Sequence, residues 1–93
     1  TILSPDPGEE FTSKTLVFKT QVAPAVGHRL NKIVFIVDVI QVDTQNLAIK
    51  KQTTITSSFR PTNLTQGKHT LTVIVSDEER NQSSRSVSFV FKP

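Results

Sequence analysis

Apolar residues in this chain fall at every second position, in short runs broken by turn residues. No long segment repeats them at i, i+3, i+4 and i+7. A period of two places alternate side chains on opposite faces of a strand, whereas a helix needs a period near 3.6. The chain is therefore expected to be all-β. Residue usage agrees: twelve Thr, eleven Val and seven Ile make up about a third of the 93 residues, against three Ala. β-branched side chains lose χ1 freedom in a helix and pack well on a pleated surface.

Thr1 to Phe11 carries Pro5, Pro7 and Gly8 and reads as an entering edge segment, because proline cannot donate to a central ladder. Thr15 to Val22 alternates, with Leu16, Phe18 and Val22 on one face. Ile33 to Val42 is the most apolar run. Ile33, Phe35, Val37 and Val39 share one face and Val34, Ile36 and Ile40 the other, as in a central or covered strand. Asp43 to Asn46 has the composition of a turn, and Leu47 to Lys50 that of a short edge strand guarded by lysines. Thr53 to Phe59, Thr70 to Ser76 and Ser86 to Phe91 complete the set, with Asp77 to Ser84 as a polar loop. Six or seven short strands with frequent turns predict a sandwich or small barrel. The expected core is Leu16, Phe18, Val22, Ile33, Phe35, Val37, Ile55, Leu71, Val73, Val75, Val87 and Phe89. Asp38, late in an apolar run, is expected to face solvent or to accept backbone hydrogen bonds at a strand end, since burying it unpaired costs several kcal/mol.

The length suits one domain spanning residues 1–93. The absence of cysteine removes disulfides, thiolate zinc sites and thiol nucleophiles together. No apolar run is long enough for a transmembrane helix, so no membrane insertion is expected. Thr1 to Pro7 lacks the charged start and apolar stretch of a signal peptide, and the absence of methionine suggests a module cut from a longer protein. The net charge of +3 is too small to announce a nucleic-acid partner. The basic residues are dispersed, and most of the six Phe lie on expected inward faces rather than interleaved with charge.

The stretch Leu64-Thr65-Gln66-Gly67-Lys68-His69-Thr70-Leu71-Thr72-Val73, then Asp77, Asn81 and Ser86-Val87-Ser88-Phe89, resembles bacterial immunoglobulin-like modules, a group that takes in fibronectin-III-like ones. The opening Ser4-Pro5-Asp6-Pro7-Gly8 and the central Val34-Phe35-Ile36-Val37-Asp38 resemble them too. The likeness extends over nearly the whole chain. It implies a two-sheet antiparallel immunoglobulin-like sandwich of about seven strands, used as an accessory module of secreted or surface-attached bacterial proteins. Two positions depart from the pattern. Glu79-Arg80-Asn81 stands where Gly-Asn is common, so a different backbone is expected there. Val39 follows Asp38 where glycine is usual, so the third strand is expected to run to about Val42.

No catalytic residue is assigned. His28, His69, Asp77 and Ser76 or Ser83 supply the residue types of a hydrolase triad but no nucleophile-elbow pattern. No metal ligand is assigned either. Asp77-Glu78-Glu79, with Asp43 and Asp38 elsewhere, falls short of the oxygens that calcium needs, and Arg80 and Arg85 oppose a cation. The acidic stretch reads as a solvated turn, and His69 as a packed or solvent-facing residue. Without Trp or Tyr an aromatic sugar platform would need a surface Phe, and otherwise only a purely polar groove could hold a glycan. The sequons Asn63-Leu64-Thr65 and Asn81-Gln82-Ser83 carry no weight, since such loops produce them by chance.

The expected function is that of a non-catalytic spacer or domain-packing module, without cofactor, whose partners are neighbouring domains of the same chain. The alternative is a module that binds another protein or a glycan. On the outer face of the third, sixth and seventh strands, Val34, Ile36, Ile74 and Val90 are expected to point away from the core. Two readings of these four stand open: exposed β-branched residues that favour strands, or a docking stripe crossing three strands.

Overall fold

A computed structural model describes all 93 residues; it contains eight strands and no helix, so no helix is long and apolar enough to cross a membrane. The strands are β1 (Ile2–Ser4), β2 (Glu9–Phe11), β3 (Leu16–Val22), β4 (Leu30–Val37), β5 (Ile40–Ile49), β6 (Thr53–Phe59), β7 (Gly67–Asp77) and β8 (Gln82–Phe91). They form a three-stranded sheet in the order β1-β3-β6 and a five-stranded sheet in the order β2-β8-β7-β4-β5. The eighth strand comes from the entering segment. Pro5 and Pro7 have no N–H to donate, and around them the chain leaves β3 and crosses to the other sheet, where β2 pairs with β8 in parallel. Every other pairing is antiparallel, and β4, β7 and β8 are neighbours as expected.

The core consists of Leu16, Phe18, Val22, Leu30, Ile33, Phe35, Val37, Ile55, Leu71, Val73, Phe89 and Phe91. Phe18 stacks on Phe35 at 6.3 Å and tilts against Phe89 at 5.9 Å, so three strands from both sheets meet through aromatic rings. Val75 and Val87, expected in the core, are only half-buried. Three strands cannot roof five, and inward residues near the sandwich margin keep some contact with solvent. Leu30 and Phe91 take their places, the latter simply continuing the Val87, Phe89 alternation.

The largest departure lies after β4. Asp38 and Val39 form a two-residue turn, and Asp43 to Asn46, expected as a turn, lies inside the ten-residue β5. The strand expected to reach Val42 therefore ends at Val37, as β4. Asp38 takes the left-handed conformation (φ 57°), which such tight hairpins demand and Asp tolerates better than most residues. Apolar Val39 and Ile40 look like strand in the sequence but stand 92% and 67% exposed at the tip. β7 and β8 are also longer than expected, which shortens their loop to Glu78–Asn81. There Arg80 adopts φ 66°, a left-handed conformation that glycine reaches without steric cost.

The molecule measures 42 × 20 × 16 Å. At one pole, the Thr1 amine donates to the carbonyl of Gln21, near the end of β3. The β3–β4 loop lies at this pole with the β7–β8 loop, because Leu30 pairs with Asp77. At the other pole, Phe91 pairs with Gly67 and Lys92 N–H donates to Phe11, beside the Asp38–Val39 turn. Thr1 and Pro93 are thus at opposite ends.

Candidate functional site

Two histidine-centred clusters occupy the two poles. At the Pro93 pole, His69 opens the buried part of β7. Its side chain is 6% exposed, Nδ1–H donates to Asp38 Oδ2 at 2.7 Å, and Nε2–H donates to the Thr65 carbonyl at 2.6 Å. Both partners are acceptors only, so both ring nitrogens carry hydrogen and the imidazolium is the form that fits. Burial disfavours that charge, but the Asp38 hydrogen bond, the Thr65 carbonyl and the Asp38 charge outweigh it and raise the His69 pKa. Partial burial likewise opposes ionisation of Asp38. The His69 bond, the Thr70 N–H (3.0 Å) and the imidazolium charge win, and its carboxyl lies below the usual range. Asp38 thus accepts a backbone hydrogen bond at a strand end, as expected. The clasp ties the β4–β5 turn to β7 and to the loop before it.

At the Thr1 pole, His28 from the β3–β4 loop meets Asp77 and Glu78. Its Nδ1 lies 2.9 Å from Glu78 Oε1 and 3.7 Å from Asp77 Oδ2. The Glu78 hydrogen bond is the main reason the His28 pKa is raised, against some desolvation and with help from the charges of Glu78, Glu79 and Asp77. Asp77 is buried rather than solvated. Its Oδ1 accepts from Glu79 N–H and Asn81 N–H at 2.9 Å each, and Oδ2 from the Asn81 side-chain amide at 3.0 Å. The Asn81 amide first, then these N–H groups and the His28 charge, lower its pKa against desolvation. Glu78 Oε2 accepts the Arg29 N–H at 2.7 Å, which is the largest cause of its lowered pKa. The Asp-to-Asn spacing across a short polar loop signals the Asp77 turn in the sequence; nothing signals that His28, about fifty residues earlier, joins it.

Asp43 closes one side of the sandwich instead of making a turn. Its Oδ2 accepts from Ser57 Oγ at 2.6 Å and Gln45 Nε2 at 3.2 Å, and Gln45 also donates to the Thr56 carbonyl. The Ser57 bond holds the Asp43 pKa low. On the outer face of the larger sheet, Val34 and Ile74 are direct cross-strand partners, and Ile36 sits opposite Thr72. Val90 sits opposite Lys68, four residues from Thr72 along β7, roughly 13 Å at strand spacing. All four are half-buried; the register joins Val34, Ile36 and Ile74 and leaves Val90 apart.

The sandwich and its strand order define an immunoglobulin-like, fibronectin-III-like fold. Structure comparison agrees: the chain superposes on the fibronectin(III)-like modules of Clostridium thermocellum CbhA with a TM-score of 0.70, covering 99% of this chain and 97% of the other at 17% identity. At that identity the likeness establishes the fold. No family model and no curated protein sequence matches the chain.

Proposed function

We propose that this chain is a non-catalytic spacer module of a multidomain bacterial protein working outside the cell. The observation that carries the reading is the placement of Thr1 and Pro93 at opposite poles of a body 42 Å long. A polypeptide passing through such a module enters at one end and leaves at the other, so the module sets a fixed separation between its neighbours. A Gly/Ser-rich linker behaves as a coil and sets none. The core rings, the His69 clasp and the Asp43–Ser57 seam supply the stiffness this role needs. The likeness to modules of CbhA supports membership of a multidomain bacterial chain.

The test is replacement within the parent protein. An unrelated β-sandwich of similar length with termini at opposite ends should preserve the domain spacing measured by small-angle scattering and preserve the parent's activity. A flexible linker of equal residue count should not. If the unrelated sandwich fails while the native module succeeds, the surface of this chain matters and the spacer reading falls in favour of recognition. The double change Ile36→Thr and Ile74→Thr keeps β-branching while removing apolar surface, and unchanged domain orientation after it would dispose of a docking role for that face.

A further inference from the structure

The loops that meet at the Thr1 pole bring a histidine from one loop to two consecutive carboxylates of another. His28, Asp77 and Glu78 each offer one ligand atom, and these atoms lie within 4.8 Å of one another. A tetrahedral zinc ion holds nitrogen and oxygen ligands at about 2.0–2.2 Å, which sets ligand–ligand separations near 3.3–3.5 Å. The separations from His28 Nδ1, 2.9 Å to Glu78 Oε1 and 3.7 Å to Asp77 Oδ2, bracket that distance.

The orientation of the donors is already fixed. Glu78 keeps Oε2 on the Arg29 N–H and turns Oε1 toward His28. Asp77 keeps Oδ1 on two backbone N–H groups, while Oδ2, steadied by the Asn81 amide, faces the imidazole. Metal sites use this kind of outer hydrogen bonding to aim their ligands. The loops themselves are tied, since Glu78 N–H donates to the Arg29 carbonyl at 3.1 Å. The donor set of one imidazole and two carboxylates suits zinc and its divalent transition-metal neighbours. It does not suit calcium, which takes six to eight oxygens.

We propose that His28, Asp77 and Glu78 form a three-ligand site for a zinc-class divalent cation, completed by water. The metal takes the place of the Nδ1 proton, which is released to solvent, and two carboxylate charges balance the ion. Lys50 and Arg29 line the hollow shared by His28 and Glu78, and their positive charges temper the affinity. The bound ion clips the β3–β4 loop to the β7–β8 loop at the end of the module where Thr1 lies.

The experiment titrates the metal-free 93-residue chain with zinc chloride by calorimetry and follows thermal unfolding with zinc and with calcium. Cobalt(II) serves as the spectroscopic stand-in. One zinc per chain, a melting temperature raised by several degrees at saturating zinc, and visible bands of low-coordinate cobalt are expected. His28→Gln and Glu78→Gln, both at accessible positions, should each weaken zinc binding at least about tenfold. Absence of saturable zinc binding overturns the proposal. So does unchanged affinity in His28→Gln, which would put the metal at His69 or the amino terminus, and so does an equal shift with calcium.

Discussion

Removing His69 should expose how much the clasp at the Pro93 pole contributes. The imidazolium makes two charge-assisted hydrogen bonds and lies against the Phe89 ring, with centroids 5.8 Å apart. Bonds to charged groups contribute about 1.5–3 kcal/mol when well buried. Here Asp38 is 46% exposed and Thr65 is exposed, so both partners rehydrate when the imidazole is gone and the polar loss is nearer ~1–2 kcal/mol. The lost ring contact adds about 1 kcal/mol. His69→Ala should therefore cost about 2–3 kcal/mol, a large share of the roughly 5–10 kcal/mol expected for a domain of this size.

The cost must also depend on pH. His69 has a folded pKa above 6.5, so its contribution is complete below the unfolded value and is lost as pH rises through the folded one. Asp38 has a lowered pKa, so its contribution is complete above its ordinary value of 3.8 and is lost as pH falls through the depressed one. The gap between wild type and variant should be widest between these limits and should narrow under alkaline conditions. The groups facing His69 are Asp38, the Thr65 carbonyl and the Phe89 ring, so only Asp38 titrates against it. His28 also has a raised pKa, but it is present in both proteins and cancels in the difference. Urea unfolding at about pH 5.5 and about pH 9 measures both quantities. A cost below about 0.5 kcal/mol, or one equal at the two pH values, refutes the ionised clasp.

Three further outcomes are expected from the same assay. Phe35→Ala, which opens a cavity among Phe18 and its neighbours, should cost ~3–5 kcal/mol; a melting temperature within a few degrees of wild type would contradict its place in the core. Arg80→Gly should stabilise by up to about 1 kcal/mol by relieving a left-handed arginine, and any net loss would mean that the arginine side chain holds the loop. Thr20→Val should be neutral or stabilising by about 1 kcal/mol, because Thr20 Oγ1 is buried without a partner; destabilisation above that size would show that the hydroxyl is bonded.

Alternation alone determined most of this protein. Period two in Leu16–Val22, Ile33–Val37 and Leu71–Val73 assigns the strands and their inward faces, because successive side chains in any strand point to opposite sides whatever the neighbours are. Where the chain reverses is less legible. Val39 and Ile40 continue an apolar run, yet the turn sits before Ile40 because Asp38 can adopt a left-handed backbone and reach Thr70 and His69. Asp43 to Asn46 is turn-like in composition but is held in β5 by pairing with β4 and by Ser57 of the facing sheet. The two histidine clusters were beyond sequence reading, since His69 lies 31 residues from Asp38 and His28 lies 50 from Glu78. Local preference fixes what a segment can be; only the pairing of β4 with β7, and the closing of one sheet over the other at Asp43 and Ser57, decides which distant side chains share a charge and a hydrogen.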